Sequence, residues 1–141
     1  MPPPVRIVRL VETGSTNADA MARALAGEPL PFWVSAGRQT AGRGRSGRAW
    51  ESSLGNLHAS LAIHLDCELA RAAQLSLVAG VAVAGALRAL APDPRVAEPI
   101  QLKWPNDILI GDAKCGGILI ESACDFRRKG LIAVIGIGSM S

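Results

Sequence analysis

The sequence predicts an α+β fold, with two helices set among about seven strands and antiparallel hairpins in its second half. Three observations predict it. Apolar residues recur at helical spacing in only two places, near residues 16–27 and 68–91. Short β-branched runs bounded by Gly, Pro, Asn or Asp occupy most of the remainder. After residue 99 these runs follow one another across turn-length gaps, as hairpins do. The chain has 141 residues, 49% of them hydrophobic and 19% charged, which suits one domain with a real core.

The elements follow in order. "VRIVRLV" (5–11) is a β-branched strand, and "ETGS" turns into the helical stretch "TNADAMARALAG". There Ala18, Met21, Ala22 and Leu25 predict the apolar face, Thr16 with Asp19 fits a capping box, and Gly27 fits a C-terminal stop. "PFWVSA" (31–36) is a short strand. Residues 37–56 are glycine-rich, lack an apolar period, and read as a long loop of the kind that is usually functional or disordered. "NLHASLAIHL" (56–65) alternates as a strand. Residues 68–91 form the longest helix, in which Gly80 and Gly85 permit close packing on a sheet. Its apolar segment "LSLVAGVAVAGAL" (75–87) is shorter than a membrane span of about 20 residues, so it reads as a buried helix with no membrane partner. Pro92, Pro94 and Pro99 mark an irregular connector. "IQLKW" (100–104), "DILI" (107–110), "KCGGILIESA" (114–123) and "LIAVIGIG" (131–138) are strands, with turns at Gly111–Asp112 and at "RRKG" (127–130).

Composition excludes several classes. Three cysteines without a C-x-x-C pair argue against a disulfide framework or zinc knuckle and for a reducing, cytoplasmic setting. "MPPPVRIVRL" has no apolar signal core. A net charge of +3 names no partner, but its distribution does point somewhere. Between Glu28 and Glu51 stand Arg38, Arg43, Arg45 and Arg48 and no acid.

Within that segment, Gly42-Arg-Gly44-Arg-Ser-Gly47 spells G-x-G-x-x-G. A dinucleotide-binding turn needs a strand directly before it and a helix opening at its end, and no helical apolar period follows here. A protein-kinase loop fails because no H-R-D or D-F-G follows. A nucleic-acid segment would interleave aromatic residues, yet Trp50 is the only one nearby and no basic helix accompanies it. A small-anion site fits better, because glycines let backbone N–H groups approach an anion while arginines neutralise it.

Other segments keep the loop company. "STN" (15–17) opens a helix, as an N-cap or as polar groups facing a ligand. "KWPND" (103–107) is a strand-to-turn signal that also carries Lys103 and Asp107, suited to a nucleotide or its magnesium. "KCGG" (114–117) opens a strand with glycines, which mark either a β-bulge or the close approach of a ligand. His58 and His64 lack ligand spacing and read as packed or surface residues.

Taken together, "STN" (15–17), "RQTAGRGRSGRAW" (38–50), "KWPNDILI" (103–110), "KCGGILIES" (114–122) and "VIGIG" (134–138) resemble the catalytic domain of biotin protein ligases. Lipoate ligases share that fold but lack the arginine–glycine loop. The resemblance implies a mixed, mostly antiparallel sheet flanked by helices, the class II synthetase-like biotin/lipoate ligase fold. It implies a two-step reaction: biotin and MgATP give biotinyl-5′-adenylate, then a lysine of a biotin carboxyl carrier domain takes the biotin. By the same resemblance, Ser15, Thr16, Asn17, Gln39, Gly42, Arg43, Lys114, Gly116 and Gly117 would surround biotin. Arg45, Arg48, Trp50, Lys103, Asn106 and Asp107 would surround ATP, with Asp107 on the metal, and Lys114, Arg43 and Arg45 would be the catalytic groups. No helix-turn-helix segment precedes "VRIVRLV", so no DNA partner is expected. Ser139, Met140 and Ser141 depart from the family's continuation, which carries more catalytic domain and a small β-barrel. The expectations are therefore a single domain over residues 1–141 that is incomplete C-terminally, with an edge strand that a homodimer could cover. The remaining readings are a catalytically impaired biotin-binding homologue, a lipoate ligase-like enzyme, and a basic nucleic-acid-binding module.

Overall fold

The computed structural model describes residues 4–90 and 99–139. Seven strands form one sheet: β1 (Arg6–Thr13), β2 (Phe32–Gln39), β3 (His58–Leu65), β4 (Ile100–Lys103), β5 (Asp107–Ile110), β6 (Ala113–Cys124) and β7 (Leu131–Ser139). Their order is β1-β2-β3-β7-β6-β5-β4. β1 and β2 are parallel, joined by the helix α1 (Thr16–Leu25), and every other pairing is antiparallel. The sheet is thus mixed and mostly antiparallel. Pro92 and Pro94 lie outside the described residues, as do Met140 and Ser141.

Successive side chains of a strand point to opposite faces, and both faces of β7 are apolar. Ile132 and Val134 join Phe32, Val34 and Ala62 under Ala20 and Ala24 of α1. Ile135, Ile118 and Ile108 face the other way, under Ala79 of α3 (Leu75–Leu90). The sheet therefore carries α1 on one face and α3 on the other. Phe32 and Ile132 are fully buried, each contributing about 1.5–3 kcal/mol.

Two expectations for α1 change. Ser15, not Thr16, is the N-cap, its hydroxyl accepting from the Ala18 N–H, and Asp19 bonds Arg23 and Thr13 instead of closing a capping box. The face it buries is Thr16, Asn17, Ala20 and Ala24; Ala18, Ala22 and Leu25 are exposed. Small residues face the sheet because the helix lies close upon it. The C-terminal stop is present, with Gly27 at φ +105° and the N–H groups of Gly27 and Glu28 bonded to the Ala24 and Arg23 carbonyls.

The long apolar helix also differs. It divides into α2 (Leu69–Ala72) and α3, where the Gln74 N–H bonds the Arg71 carbonyl in a tighter turn. Only one face of α3 is buried, through Ala79, Gly80 and Ala84, while Leu77, Val78 and Val81 are exposed. The run Leu69–Leu90, of 22 residues and mean hydropathy 1.6, is long and apolar enough to cross a membrane. In this fold it packs on β4, β5 and β6. Gly80 admits Leu102 at 3.5 Å from where a Cβ would sit; Gly85 has nothing within 4 Å and does not act as a packing glycine.

Candidate active site

The cavity lies on the α1 face of the sheet and measures about 240 Å³. Its floor is β6 and β7, one wall is the N-terminus of α1, and its cover is the arginine–glycine loop. Local structure explains how each part arrives there.

The loop is a small hairpin rather than an irregular coil. Arg43 and Ala49 form a bridge, the Trp50 N–H bonds the Gly42 carbonyl at 2.9 Å, and the Gly44 N–H bonds the Arg48 carbonyl at 2.6 Å. Its tip, Arg45–Gly47, needs left-handed backbone at Ser46 (φ +57°) and Gly47 (φ +72°). The hairpin is tied to β6 and to the turn between β4 and β5. Arg43 donates to Glu121 at 3.0 Å and Arg45 donates to Asn106 at 3.4 Å. The Trp50 ring then lies on a platform of glycines: a Cβ at Gly138 would sit 2.8 Å from Trp50 Nε1, and one at Gly117 would sit 3.2 Å from the ring.

The wall is a polar chain. The Thr16 N–H and hydroxyl both donate to Gln39 Oε1, at 2.7 and 3.0 Å, and Gln39 Nε2 donates to Ser52 at 3.0 Å. Buried Ser60 lies 2.8 Å from Thr16 Oγ1 and 2.6 Å from Asn17 Oδ1. The Asn17 amide donates to the Leu119 carbonyl at 3.2 Å and to Glu121 at 3.0 Å. These groups also satisfy the first turn of α1, where the Thr16 N–H meets Gln39 and the Ala18 N–H meets the Ser15 hydroxyl.

Lys114 reaches the cavity through a β-bulge. Ile108 pairs with Gly116 but Leu109 pairs with Lys114, so Cys115 is extra on β6. Plain alternation would put Lys114 on the α3 face with Gly116. Instead Cys115 packs into the core beneath α3, where burial pushes its thiol up from the ordinary value, and Lys114 turns to the cavity. There its ammonium lies 3.2 Å from Asp107 and 5.3 Å from the centre of the Trp50 ring.

Of the residues the sequence pointed to, Ser15, Thr16, Asn17, Gln39, Arg43, Arg45, Arg48, Trp50, Asn106, Asp107, Lys114 and Gly117 come together around this one cavity. Three do not. Gly116 faces away, its Cβ position 3.6 Å from Ile108. Gly42 is buried under the loop, its Cβ position within 3 Å of Ser52, Trp50 and Gln39, so it serves the hairpin. Lys103 ends β4 outside the lining. Conversely, His58, Gly136 and Gly138 line the cavity unannounced. His58 is 1% exposed; its Nε2 faces the Ser53 carbonyl at 3.3 Å and its Nδ1 has no partner among the described residues. The "VIGIG" spacing was the signal for the two glycines. No group of three His, Cys, Asp or Glu among the described residues could hold a metal by itself.

Residues 20–139 match the model of the biotin/lipoate A/B protein ligase family. The chain belongs to that family. It is 44% identical over 132 residues to the biotin–[acetyl-CoA-carboxylase] ligase of Paracoccus denitrificans, covering 92% of this chain and 52% of that one. The biotin protein ligase of Leishmania major, solved in complex with biotinyl-5-AMP, superposes with a TM-score of 0.76 at 36% identity, over 97% of this chain and 57% of that one. That of Aquifex aeolicus, in complex with biotin and ATP, superposes with a TM-score of 0.69 at 31% identity, over 95% and 51%. The chain thus spans about half the length of the relatives it matches. The ligase-family fold accounts for the mixed sheet, and for the motifs that are scattered in sequence meeting in space.

Proposed function

We propose that this site binds biotin and ATP, joins them as biotinyl-5′-adenylate, and passes the biotin to a lysine of a biotin carboxyl carrier domain. The observation that carries this reading is the convergence of the polar α1 wall, the arginine hairpin and Lys114 on one cavity. Relatives at this similarity bind biotin, ATP or the adenylate, which supports the same assignment here.

The chemistry asks for little covalent work from the protein. Biotin's carboxylate attacks the α-phosphorus of ATP, the bond to the β,γ-phosphates breaks, and pyrophosphate leaves. Both reactants are anions, so the obstacle is bringing them together and holding the charge that builds at phosphorus. Thr16, Asn17 and Gln39 offer donors and acceptors for the ureido head. Lys114, beside Asp107 and over Trp50, meets the junction between carboxylate and phosphate. Arg43, Arg45 and Arg48 bring the positive field from the hairpin, which also covers the anhydride against water. Among the described residues Asp107 is the one carboxylate of the lining, so magnesium would be held by Asp107 together with the triphosphate, in the usual manner for that ion. It would supply further charge neutralisation at the phosphates. In the second step the carrier lysine attacks the acyl carbon and AMP leaves. Three free cysteines fit a reducing, cytoplasmic setting.

Calorimetric titration with biotin and with ATP, followed by biotin-dependent ATP–pyrophosphate exchange and transfer to a carrier domain, tests the proposal. Binding of both ligands with exchange is expected. Binding of neither overturns the enzyme reading, and binding of biotin without exchange reduces it to a biotin-binding homologue.

A further inference from the structure

We propose that Glu121 is a positioning residue, coupling the floor of the cavity to the arginine hairpin through a single carboxylate oxygen. Glu121 does not itself line the cavity. Its Oε1 accepts from Asn17 Nδ2 at 3.0 Å and from Arg43 Nη2, also at 3.0 Å. One atom therefore joins the "STN" segment, the arginine–glycine loop and β6.

The connection extends beyond that atom. Asn17 is 5% exposed, and its other amide atom, Oδ1, is held by Ser60. Ser60 reaches Thr16, and Thr16 reaches Gln39. A run of polar contacts thus links Arg43 at the cavity mouth to Gln39 at the far wall, with the single Ser60 hydroxyl proton serving either Asn17 Oδ1 or Thr16 Oγ1. Arg43–Glu121 is the loop's ion pair among the described residues, with its two side chains 45% and 33% exposed. A pair so exposed is weak, worth up to about fivefold in an equilibrium, which is enough to bias a loop without locking it. Arginine carries five donors, so Arg43 can keep Glu121 while another donor meets an incoming carboxylate.

The charge sign supports a positioning role. A carboxylate beside a site for anions repels them, so Glu121 serves the site through Asn17 and Arg43 and not by touching ligand. This inference rests on the proposed biotin site for its ligand measurements, but the loop measurement does not depend on it.

Two variants separate the two bonds. Glu121→Gln keeps an acceptor for Asn17 and removes the ion pair; Glu121→Ala removes both. The loop holds three trypsin sites, at Arg43, Arg45 and Arg48. Timed proteolysis of the ligand-free full chain, with peptides mapped by mass, should show these sites cut about threefold to fivefold faster in Glu121→Gln. Cleavage after Arg127 and Arg128, on a distant turn, should be unchanged. Biotin affinity should stay within about threefold of wild type in Glu121→Gln and fall about tenfold or more in Glu121→Ala, where Asn17 loses its side-chain acceptor altogether. Unchanged cleavage in Glu121→Gln overturns the link to the hairpin, and equal biotin affinity in the two variants overturns the link to Asn17. If wild type binds no biotin, the proposed function fails and the cleavage result alone decides whether Glu121 holds the loop.

Discussion

Gly136→Ala is the sharpest perturbation the site allows. A Cβ at Gly136 would lie 2.2 Å from Asn17 Oδ1, 2.8 Å from its Cγ and 2.9 Å from Nδ2. All three distances are inside contact, so a side chain must move. Asn17 cannot do so freely, because it is buried and bonded to Ser60, the Leu119 carbonyl and Glu121. Either the clash is accommodated by shifting β7 against β6, at about 1–3 kcal/mol, or Asn17 swings away and loses bonds worth about 1 kcal/mol each. The two routes bound the loss at about 1–3 kcal/mol. For a domain of this size that is a fall in Tm of about 3–9 °C, at roughly 3 °C per kcal/mol. Urea denaturation of wild type, Gly136→Ala, Asn17→Ala and the double variant measures it as a cycle. Asn17→Ala opens the space the new methyl needs, so the double variant should be about as stable as Asn17→Ala alone. A Gly136→Ala loss under about 0.5 kcal/mol, or losses that simply add in the double variant, would refute the steric reasoning.

Three further outcomes are expected. Lys114→Ala should lower biotin-dependent pyrophosphate exchange about 100-fold or more, the usual cost of removing one group aimed at developing charge. Its stability should stay within about 0.5 kcal/mol of wild type, since the Asp107 pair is partly exposed and weak; unchanged exchange contradicts the assignment. Asp125 is held below its ordinary carboxylate value chiefly by the Arg127 N–H, with Arg127, Arg128 and His64 assisting against the effect of burial. A depressed pKa contributes stability above the unfolded value near 3.9 and loses it as pH falls through the folded one. The stability gap between wild type and Asp125→Asn should therefore be full above about pH 5 and shrink on acidification, and a gap that widens in acid refutes it. In timed alkylation, exposed Cys124 should react first and Cys115 last, because burial raises the Cys115 pKa and keeps it a thiol. The reverse order, read by peptide mass, would count against the packing at the bulge.

Much of the fold was legible because it depends on local patterning. The seven strands, the α1 start near "STN" and the Gly27 stop follow from periodicity and turn chemistry. The errors fell where packing overrides pattern. Ala18, Ala22 and Leu25 read as the apolar face of α1, but a helix lying this close to a sheet buries Ala20 and Ala24, and gives Thr16 and Asn17 to the cavity. The α3 segment is apolar all round and so reads as buried, yet the sheet covers only one of its faces.

The same division runs through the site. By itself the sequence determined its chemical inventory: the arginines between glycines, the "STN" donors, and a lysine leading two glycines. These are residue types at fixed spacing, and anion chemistry restricts which types serve. Only the tertiary structure decided which of them meet. Gly42 supports the hairpin and Gly116 faces the opposite core, while His58, Gly136 and Gly138 enter from β3 and β7. The bulge at Cys115 is the clearest instance, since strict alternation would have turned Lys114 from the cavity. One extra residue reverses a strand's facing, and it becomes visible only when the neighbouring strand sets the register.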